Sequence, residues 1–395
     1  MTLTYRAAVA ALTERGRFGV SLGLQRVSRL MDEVGHPEAG LRGALVGGTN
    51  GKGSVVAMTR SVLGAAGLRV GTMPKPHLVS YRERIAIDGE PLEPDEFAAA
   101  VDRVLPAIDR VAADIGPPTE FEALTAAAIA ELARQRVDLA IVEVGMGGRL
   151  DATNVLDLGV ATITNVQRDH ERYLGSTLTA IGGEKAPIIK AGDLAVTGAS
   201  GRGLGPILER CDALSVPLRR AGPRQPYRAT LRSSGWDGIV VDAILPGRRL
   251  RDLHIGLLGR HQAQNAAVAL AVLDALVERW GSRSATTRFV GASPRHAGPV
   301  AWSCSTVRAP ASVGCFSTGP TTQPAPMLSR RRSPTWGCDG RRSSSVRCAG
   351  NASPPCCAPS RRSSRDSSSP ASTTPEPSLR SDWPVPGAAS PATAP

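Results

Sequence analysis

A glycine-rich segment near residue 50 carries the residue types best suited to chemistry. It reads Gly48-Thr49-Asn50-Gly51-Lys52-Gly53-Ser54 and lies between an apolar run and a helical pattern. Glycines let backbone N–H groups turn toward phosphate oxygens, and the start of the following helix favours negative charge. Lys52 adds a full positive charge at the terminal phosphates, and the Ser54 hydroxyl is a suitable Mg²⁺ ligand. The segment predicts a nucleotide-phosphate loop, the alternative being a glycine-rich turn with an exposed lysine.

A second candidate group follows the apolar run at residues 137–144. Glu143 lies at the end of this run, and a glycine-rich stretch leads from it to Asp151. In doubly wound sheets, a carboxylate at the C-terminal end of a strand faces the crevice where ligands bind. A glutamate at such a place is more often solvated or paired with a cation, but the glycine-rich stretch and Asp151 favour an Mg²⁺ ligand at Glu143.

Alternating strands and helices must position these residues. Apolar runs predict strands at residues 41–46, 69–73, 137–144, 159–165 and 193–198. Helical patterns follow the phosphate loop and recur at residues 95–115, 122–136, 177–190 and 259–280, and a small β-rich region is predicted at 227–257. This alternation predicts an α/β fold with a doubly wound, mostly parallel sheet flanked by helices.

Four segments together carry a family resemblance. They are residues 18–26 (FGVSLGLQR), the loop at 48–54, residues 77–85 (HLVSYRERI) and residues 142–154 (VEVGMGGRLDATN). These segments resemble the signatures of the folylpolyglutamate synthases and dihydrofolate synthases. That family consists of ligases related to the enzymes that build the peptidoglycan peptide. The resemblance covers about the first 280 residues.

The resemblance implies a metal and nucleotide site. Glu143 and His170 would each ligate Mg²⁺, with Ser54 contributing its hydroxyl. Lys185 matches a lysine that is carbamylated in related ligases, where it helps to hold the metal. The implied catalytic residues are Lys52, Lys185 and His170, and Asn265 would contact the adenine of ATP.

The resemblance also implies the substrates and the reaction. His77, Ser80 and Asp151 would contact the acceptor, which is a folate or dihydropteroate. ATP would phosphorylate a carboxylate of this acceptor, with Mg²⁺ and Lys52 stabilising the moving phosphoryl group. The amine of L-glutamate would then attack the acyl phosphate and form an amide. The sequence does not separate addition to dihydropteroate from extension of a folate chain.

Composition places the protein in the cytoplasm and away from membranes. No run of about 18 apolar residues is present, so no membrane span is predicted. The first 20 residues mix charged side chains with short apolar pieces, unlike a secretory signal. We expect a cytoplasmic monomer whose partners are small molecules rather than nucleic acid.

The composition changes abruptly near residue 283. Residues 283–395 contain 14 Arg, no Lys, 4 acidic residues and six of the seven Cys. This Arg/Ser/Pro-rich segment lacks aliphatic periodicity, which predicts disorder because little apolar burial offsets its ordering entropy. We therefore divide the chain into a nucleotide-binding domain at 1–282 and a low-complexity tail at 283–395. The tail replaces the second domain that the family resemblance implies.

A shifted reading frame explains the tail. When the nucleotides are read one position earlier, the first two bases of each codon become the last two bases of the shifted codon. With a permitted choice of third bases, residues 314–325 (GCFSTGPTTQPA) then read RVLLDGAHNPAG. The same offset turns residues 299–303 (PVAWS) into PGRLE. Both products resemble signatures of the family's second domain, in the expected order. We hypothesise that the coding frame slips between about residues 281 and 286, which makes full ligase activity of this chain doubtful.

Three other interpretations remain open. The chain is alternatively a peptidoglycan-type amino-acid ligase, which shares the chemistry but takes another acceptor. It is alternatively a non-catalytic remnant that only binds nucleotide. A nucleic-acid binder acting through the Arg-rich tail is disfavoured, because the arginines lack interleaved aromatic residues and helical spacing.

Overall fold

The computed structural model describes residues 3–18 and 22–281. Its strands are β1 (Gly43–Gly47), β2 (Val70–Met73), β3 (Ala86–Ile87), β4 (Glu90–Pro91), β5 (Leu139–Glu143), β6 (Val160–Ile163), β7 (Leu194–Thr197), β8 (Leu218–Arg220), β9 (Arg228–Gly235), β10 (Gly238–Leu245) and β11 (Arg248–Ile255). Its helices are α1 (Tyr5–Thr13), α2 (Gln25–Glu33), α3 (Lys52–Ala65), α4 (Pro94–Ile115), α5 (Glu120–Arg134), α6 (Glu171–Leu174), α7 (Leu178–Lys185), α8 (Gly205–Leu214) and α9 (Gln262–Trp280).

An eight-stranded sheet positions the candidate residues. Its strand order is β4-β3-β2-β5-β1-β6-β7-β8. The six strands from β2 to β8 in this order run parallel, whereas β3 and β4 add an antiparallel edge. Parallel strands end at one edge of the sheet, so the residues that follow β2, β5, β1, β6, β7 and β8 lie in that order along a single edge.

Helices cover both faces of this sheet. Alternate residues of a strand point to opposite faces, so Leu45 packs with the helices α1, α2, α4 and α5, whereas Ala44 and Val46 pack with α3 and α9. The central strands β1 and β5 are buried along their whole length, as expected for parallel strands covered on both sides. The doubly wound α/β prediction is confirmed.

A second, three-stranded antiparallel sheet has the order β11-β10-β9. Its apolar residues, including Ile239, Val241 and Leu253, share one core with α9. The predicted β-rich region is thus a small sheet that covers the helix whose N-terminus approaches the phosphate loop. Across the described residues, no helix combines the length and apolar character needed to cross a bilayer. The predictions for residues 283–395 lie outside the described residues.

Candidate phosphate and metal site

The phosphate loop joins the end of β1 to the start of α3. Gly51 precedes α3 with a φ of 79°, a left-handed conformation that favours glycine. A Cβ at Gly51 would lie 2.3 Å from Oδ1 of Asn265, so the loop and the start of α9 are in close contact. Gly48 also has a positive φ, 136°, and a Cβ there would lie 1.9 Å from Oγ1 of Thr164. Both glycines are therefore required by close packing as well as by backbone conformation.

The segment that follows β6 fixes the shape of the loop. The amide of Thr49 donates to the Asn165 carbonyl at 3.1 Å, and the amide of Asn50 donates to Oδ1 of Asn165 at 2.9 Å. The Thr49 hydroxyl donates to the Gln167 carbonyl and accepts from the Gln167 amide. The loop is therefore held in place by the protein before any ligand binds. Asn165 and Gln167 were not predicted as site residues, because their roles depend on strand order.

Two lysine side chains converge on one carbonyl of the loop. Nζ of Lys52 donates to the carbonyls of Gly48 and Thr49 at 3.2 and 3.1 Å. Nζ of Lys185, at the end of α7, donates to the same Gly48 carbonyl at 3.1 Å. Burial lowers the pKa of Lys185 to about 8; the positive charge of Lys52 lowers it too, and Asp169 and Asp151 oppose the shift. Two positive charges beside the loop amides form a site suited to a polyanion.

The carboxylate of Glu143 lies beside the start of α3. Oε2 is 3.5 Å from the position that a Cβ would take at Gly53, and it accepts from the amide of Lys75 at 3.2 Å. Glu143 is buried, and this burial raises its pKa, while Lys52 and the Lys75 amide lower it. A buried carboxylate without an ion-pair partner in the described residues fits a site for a hard cation such as Mg²⁺.

His170 lies at the start of the short helix α6. Its backbone is left-handed, with a φ of 48°, and its side chain is 52% exposed. Nε2 is 3.7 Å from the carboxylate of Asp169. Within the described residues, His170 makes no hydrogen bond or ion pair with Glu143 or Ser54, and no group of three His, Cys, Asp or Glu side chains is arranged to hold a metal ion. The Mg²⁺ ligation implied for His170 stays a prediction.

The three predicted acceptor-binding residues have partners of their own. His77 packs against the Tyr81 ring and accepts from Nε of Arg84 at 2.9 Å. The Ser80 hydroxyl lies 2.9 Å from the hydroxyl of Tyr5, and Ser80 caps the start of a short helical turn.

Asp151 is engaged by its own loop. Oδ2 accepts from the amide of Met146 at 2.8 Å, and Oδ1 accepts from the amide and hydroxyl of Thr153. The Asp151 carboxylate thus fixes the loop that follows β5. Its role in binding the acceptor stays a prediction.

Lys75 reaches this region although its sequence context did not single it out. Burial lowers the pKa of Lys75 to about 8, and the negative charges of Asp151 and Glu143 oppose that shift. Its Nζ lies 4.0 Å from the centre of the Phe121 ring. A lysine two residues beyond a short strand carries no motif, so only the strand order shows that it lies near Glu143.

A cavity of about 650 Å³ extends from the phosphate loop along the ends of β6, β7 and β8. Asn50, Gly51 and Ser54 line it on the loop side, and His261, Gln264 and Asn265 line it from the start of α9. Residues after the three strands complete the wall, among them Asn165, Ser200 and Arg220. The cavity therefore adjoins the loop amides and is also lined by the side-chain amides of Gln264 and Asn265, an arrangement suited to a nucleotide.

The sheet, the loop and the cavity define a domain of the Mur ligase class. Residues 100–273 match the family model described as the Mur ligase middle domain.

Similar proteins narrow this class. The chain is 37% identical over 288 residues to a dihydrofolate synthase/folylpolyglutamate synthase of Bacillus subtilis, covering 69% of this chain and 64% of that protein. A Mycobacterium tuberculosis protein of the same name is 38% identical over 265 residues, covering 64% of this chain and 54% of that protein. The chain thus spans somewhat less than two thirds of these relatives.

Solved structures agree with this assignment. The apo form of L. casei FPGS superposes with a TM-score of 0.69 at 30% identity, covering 75% of this chain and 73% of that one. M. tuberculosis folylpolyglutamate synthase complexed with ADP gives a TM-score of 0.64 at 33% identity, covering 72% and 66%. The chain belongs to the folylpolyglutamate synthase/dihydrofolate synthase family.

Proposed function

We propose that this chain derives from an ATP-dependent ligase that joins L-glutamate to a carboxylate of folate or dihydropteroate. The observation that carries the proposal is the convergence of Lys52, Lys185 and Glu143 on the loop that begins α3. The names of the relatives support the substrate class, as does a similar structure described as an FPGS-AMPPCP-folate complex, with a TM-score of 0.66 at 30% identity.

The residues divide the work of phosphoryl transfer. The amides at the start of α3 and the ammonium of Lys52 hold the phosphates of ATP, and the cavity beside Asn265 holds the nucleoside. Glu143 and Ser54 would hold Mg²⁺, which supplies positive charge to the phosphoryl group when bound. A carboxylate oxygen of the acceptor bonds to the γ-phosphorus as ADP leaves. The glutamate amine then bonds to the acyl carbon, and phosphate and a proton are released.

Lys185, whose Nζ contacts the Gly48 carbonyl, is proposed to become carbamylated and then to help hold Mg²⁺. Its lowered pKa raises the fraction of neutral amine, which is the form that reacts with carbon dioxide. Carbamylation adds one carbon dioxide, about 44 Da, and this added mass should be absent from Lys185→Met. We further propose that the protein works as a monomer in the cytoplasm, which sedimentation and cell fractionation test.

Nucleotide binding is the first test of the proposal. Titration calorimetry with AMPPCP and MgCl₂ should show binding by the full chain. Lys52→Met should weaken it about tenfold or more, because a charge-assisted contact to phosphate is lost. Arg251 is exposed on β11, so Arg251→Gln is a control that removes one positive charge away from the site. It should bind AMPPCP as tightly as the parent does. Equal affinity of the parent and Lys52→Met would contradict the loop assignment.

Acceptor choice is the second test. Incorporation of radiolabelled L-glutamate is measured with a chain whose reading frame is restored after residue 281, using MgATP and a panel of folate, dihydropteroate and a UDP-linked muramoyl acceptor. The proposal expects incorporation only into the pterin acids. Incorporation into the muramoyl acceptor would instead favour the peptidoglycan-type alternative.

We also propose that residues 283–395 are the product of the frame slip inferred above, in place of the family's second domain. The shorter span relative to the relatives supports this proposal. Nucleotide binding by the first domain is then retained while turnover is reduced or lost. A chain that binds AMPPCP but transfers no glutamate matches the non-catalytic alternative.

A further inference from the structure

The ammonium of Lys75 is enclosed without a hydrogen-bond partner. Within the described residues, its Nζ is buried and donates a hydrogen bond to no oxygen, although the residue as a whole is partly exposed. Nζ lies over the face of the Phe121 ring, 4.0 Å from its centre, and near Gly145, where a Cβ would lie 3.5 Å from Nζ. An ammonium has three N–H donors, and leaving them unpaired in a buried place is costly.

The acids near Lys75 do not supply the missing acceptors. Both oxygens of Asp151 accept hydrogen bonds from its own loop, at Met146 and Thr153. Glu143 accepts from the backbone amide of Lys75 rather than from its ammonium. Neither acid forms an ion pair with Lys75 within residues 3–18 and 22–281. The negative charges of Asp151 and Glu143 attract the ammonium, but its N–H donors remain available to hydrogen-bond another group.

Strand order places Lys75 on one particular side of the phosphate loop. Along the edge of the sheet the strands run β2, β5, β1, β6, β7, β8. The loop follows β1, and the nucleotide cavity lies beyond it at β6 to β8. Glu143 ends β5, and Lys75 follows β2, so both lie on the opposite side of the loop from the nucleoside. An acceptor must approach the terminal phosphate from this side, because the nucleoside occupies the other.

We propose that Lys75 binds the carboxylate of the acceptor, the group that receives the phosphoryl group. This inference rests on the proposed function and adds a substrate-binding residue to it. The ammonium donates hydrogen bonds to one carboxylate oxygen and leaves the other free to form the new bond to phosphorus. No proton is transferred by Lys75 in this step. Its positive charge also offsets the repulsion that Glu143 would exert on an approaching carboxylate.

The test compares an acid with its neutral analogue. The full chain is titrated with pteroate and with pteroamide, its carboxamide, in the presence of AMPPCP and MgCl₂. Lys75→Met should weaken pteroate binding about ten- to hundredfold, the range expected for a charge-assisted hydrogen bond. Pteroamide and AMPPCP should bind Lys75→Met as they bind the parent, and Lys75→Arg should retain pteroate binding. Arg251→Gln controls for loss of a positive charge elsewhere.

Thermal unfolding without ligand separates binding from a structural role. An ammonium without acceptors opposes folding, so Lys75→Met should unfold at the parent temperature or higher. A lower unfolding temperature with unchanged pteroate affinity would identify Lys75 as a counter-ion of Glu143 and Asp151 and overturn the inference. So would failure of both Lys75→Met and Lys75→Gln to fold.

The remaining outcomes separate this inference from the function beneath it. Pteroate affinity that is equal in the parent and Lys75→Met overturns the role of Lys75 and leaves the ligase proposal standing. A parent that binds AMPPCP but neither pteroate nor folate overturns the pterin acceptor, and the Lys75 inference with it.

Discussion

Replacing Gly51 by alanine tests the structure of the phosphate loop most directly. The φ of 79° at Gly51 costs about 1–2 kcal/mol for a residue that carries a Cβ. The new Cβ would lie 2.3 Å from Oδ1 of Asn265, so this side chain must move. Its movement breaks the hydrogen bond that Asn265 donates to Gln262 at 2.8 Å, worth about 0.5–1.5 kcal/mol. We expect Gly51→Ala to lower the free energy of unfolding by about 2–3 kcal/mol.

The same helix supplies a matched control of opposite sign. Gly64 lies in the last turn of α3, is exposed, and has no neighbour within 4 Å of the position of a Cβ. Gly64→Ala should raise stability by about 0.5 kcal/mol, because alanine favours the helix. Urea unfolding of the two variants and the parent measures both effects. AMPPCP affinity should fall about tenfold or more in Gly51→Ala only, because the amides at the start of α3 are displaced. A Gly51→Ala variant with parent stability and parent affinity would refute the loop geometry.

Three further predictions concern the metal, the buried lysine and the tail. Glu143→Gln should reduce the Mg²⁺-dependent gain in AMPPCP affinity about tenfold or more, whereas affinity measured in EDTA should not fall. Burial lowers the pKa of Lys185 to about 8 from 10.5, so the unfolded chain holds more protons between these values and stability should rise with pH across that window. Lys185→Met should remove a part of this rise on the order of 3 kcal/mol, and an unchanged slope would contradict the burial. Restoring the frame after residue 281 should restore glutamate incorporation, and a gene whose third bases do not encode the shifted motifs would exclude the frame slip.

The sequence predicts the centre of the fold better than its edges. The strands expected at residues 41–46, 137–144 and 159–165 correspond to β1, β5 and β6, because buried parallel strands form continuous apolar runs. The short outer strands β3, β4 and β8 are not predicted, since they are two or three residues long and only partly buried. The helices α1, α2 and α8 were also missed, and their nine or ten residues alternate with charged positions that weaken a simple pattern.

The residues of the candidate site likewise differ in how well the sequence predicts them. Residues that lie within one motif, such as Lys52 and Ser54, could be recognised because a loop and its helix are contiguous in the chain. Asn165, Gln167 and Lys75 could not, since each reaches the site through the order of strands in the sheet. Local spacing also does not reveal a structural role for Asp151. Both of its oxygens accept hydrogen bonds from its own loop, and its contact with the acceptor stays a prediction.

The order of strands around β1 supports the proposal that one edge of the sheet binds two substrates. The strands on the β6 side are followed mostly by uncharged residues that line the cavity, such as Asn165 and Gly198, together with the charged Arg220 at the end of β8. The strands on the β5 side end in Glu143 and Lys75, charges of opposite sign that suit a cation and a carboxylate. Under the proposed function the γ-phosphate lies between the two sides, at the glycine-rich loop that joins β1 to α3. Under the proposed function the acceptor carboxylate approaches from the β5 side, and the unpartnered ammonium of Lys75 is the feature of that side that no sequence motif predicts.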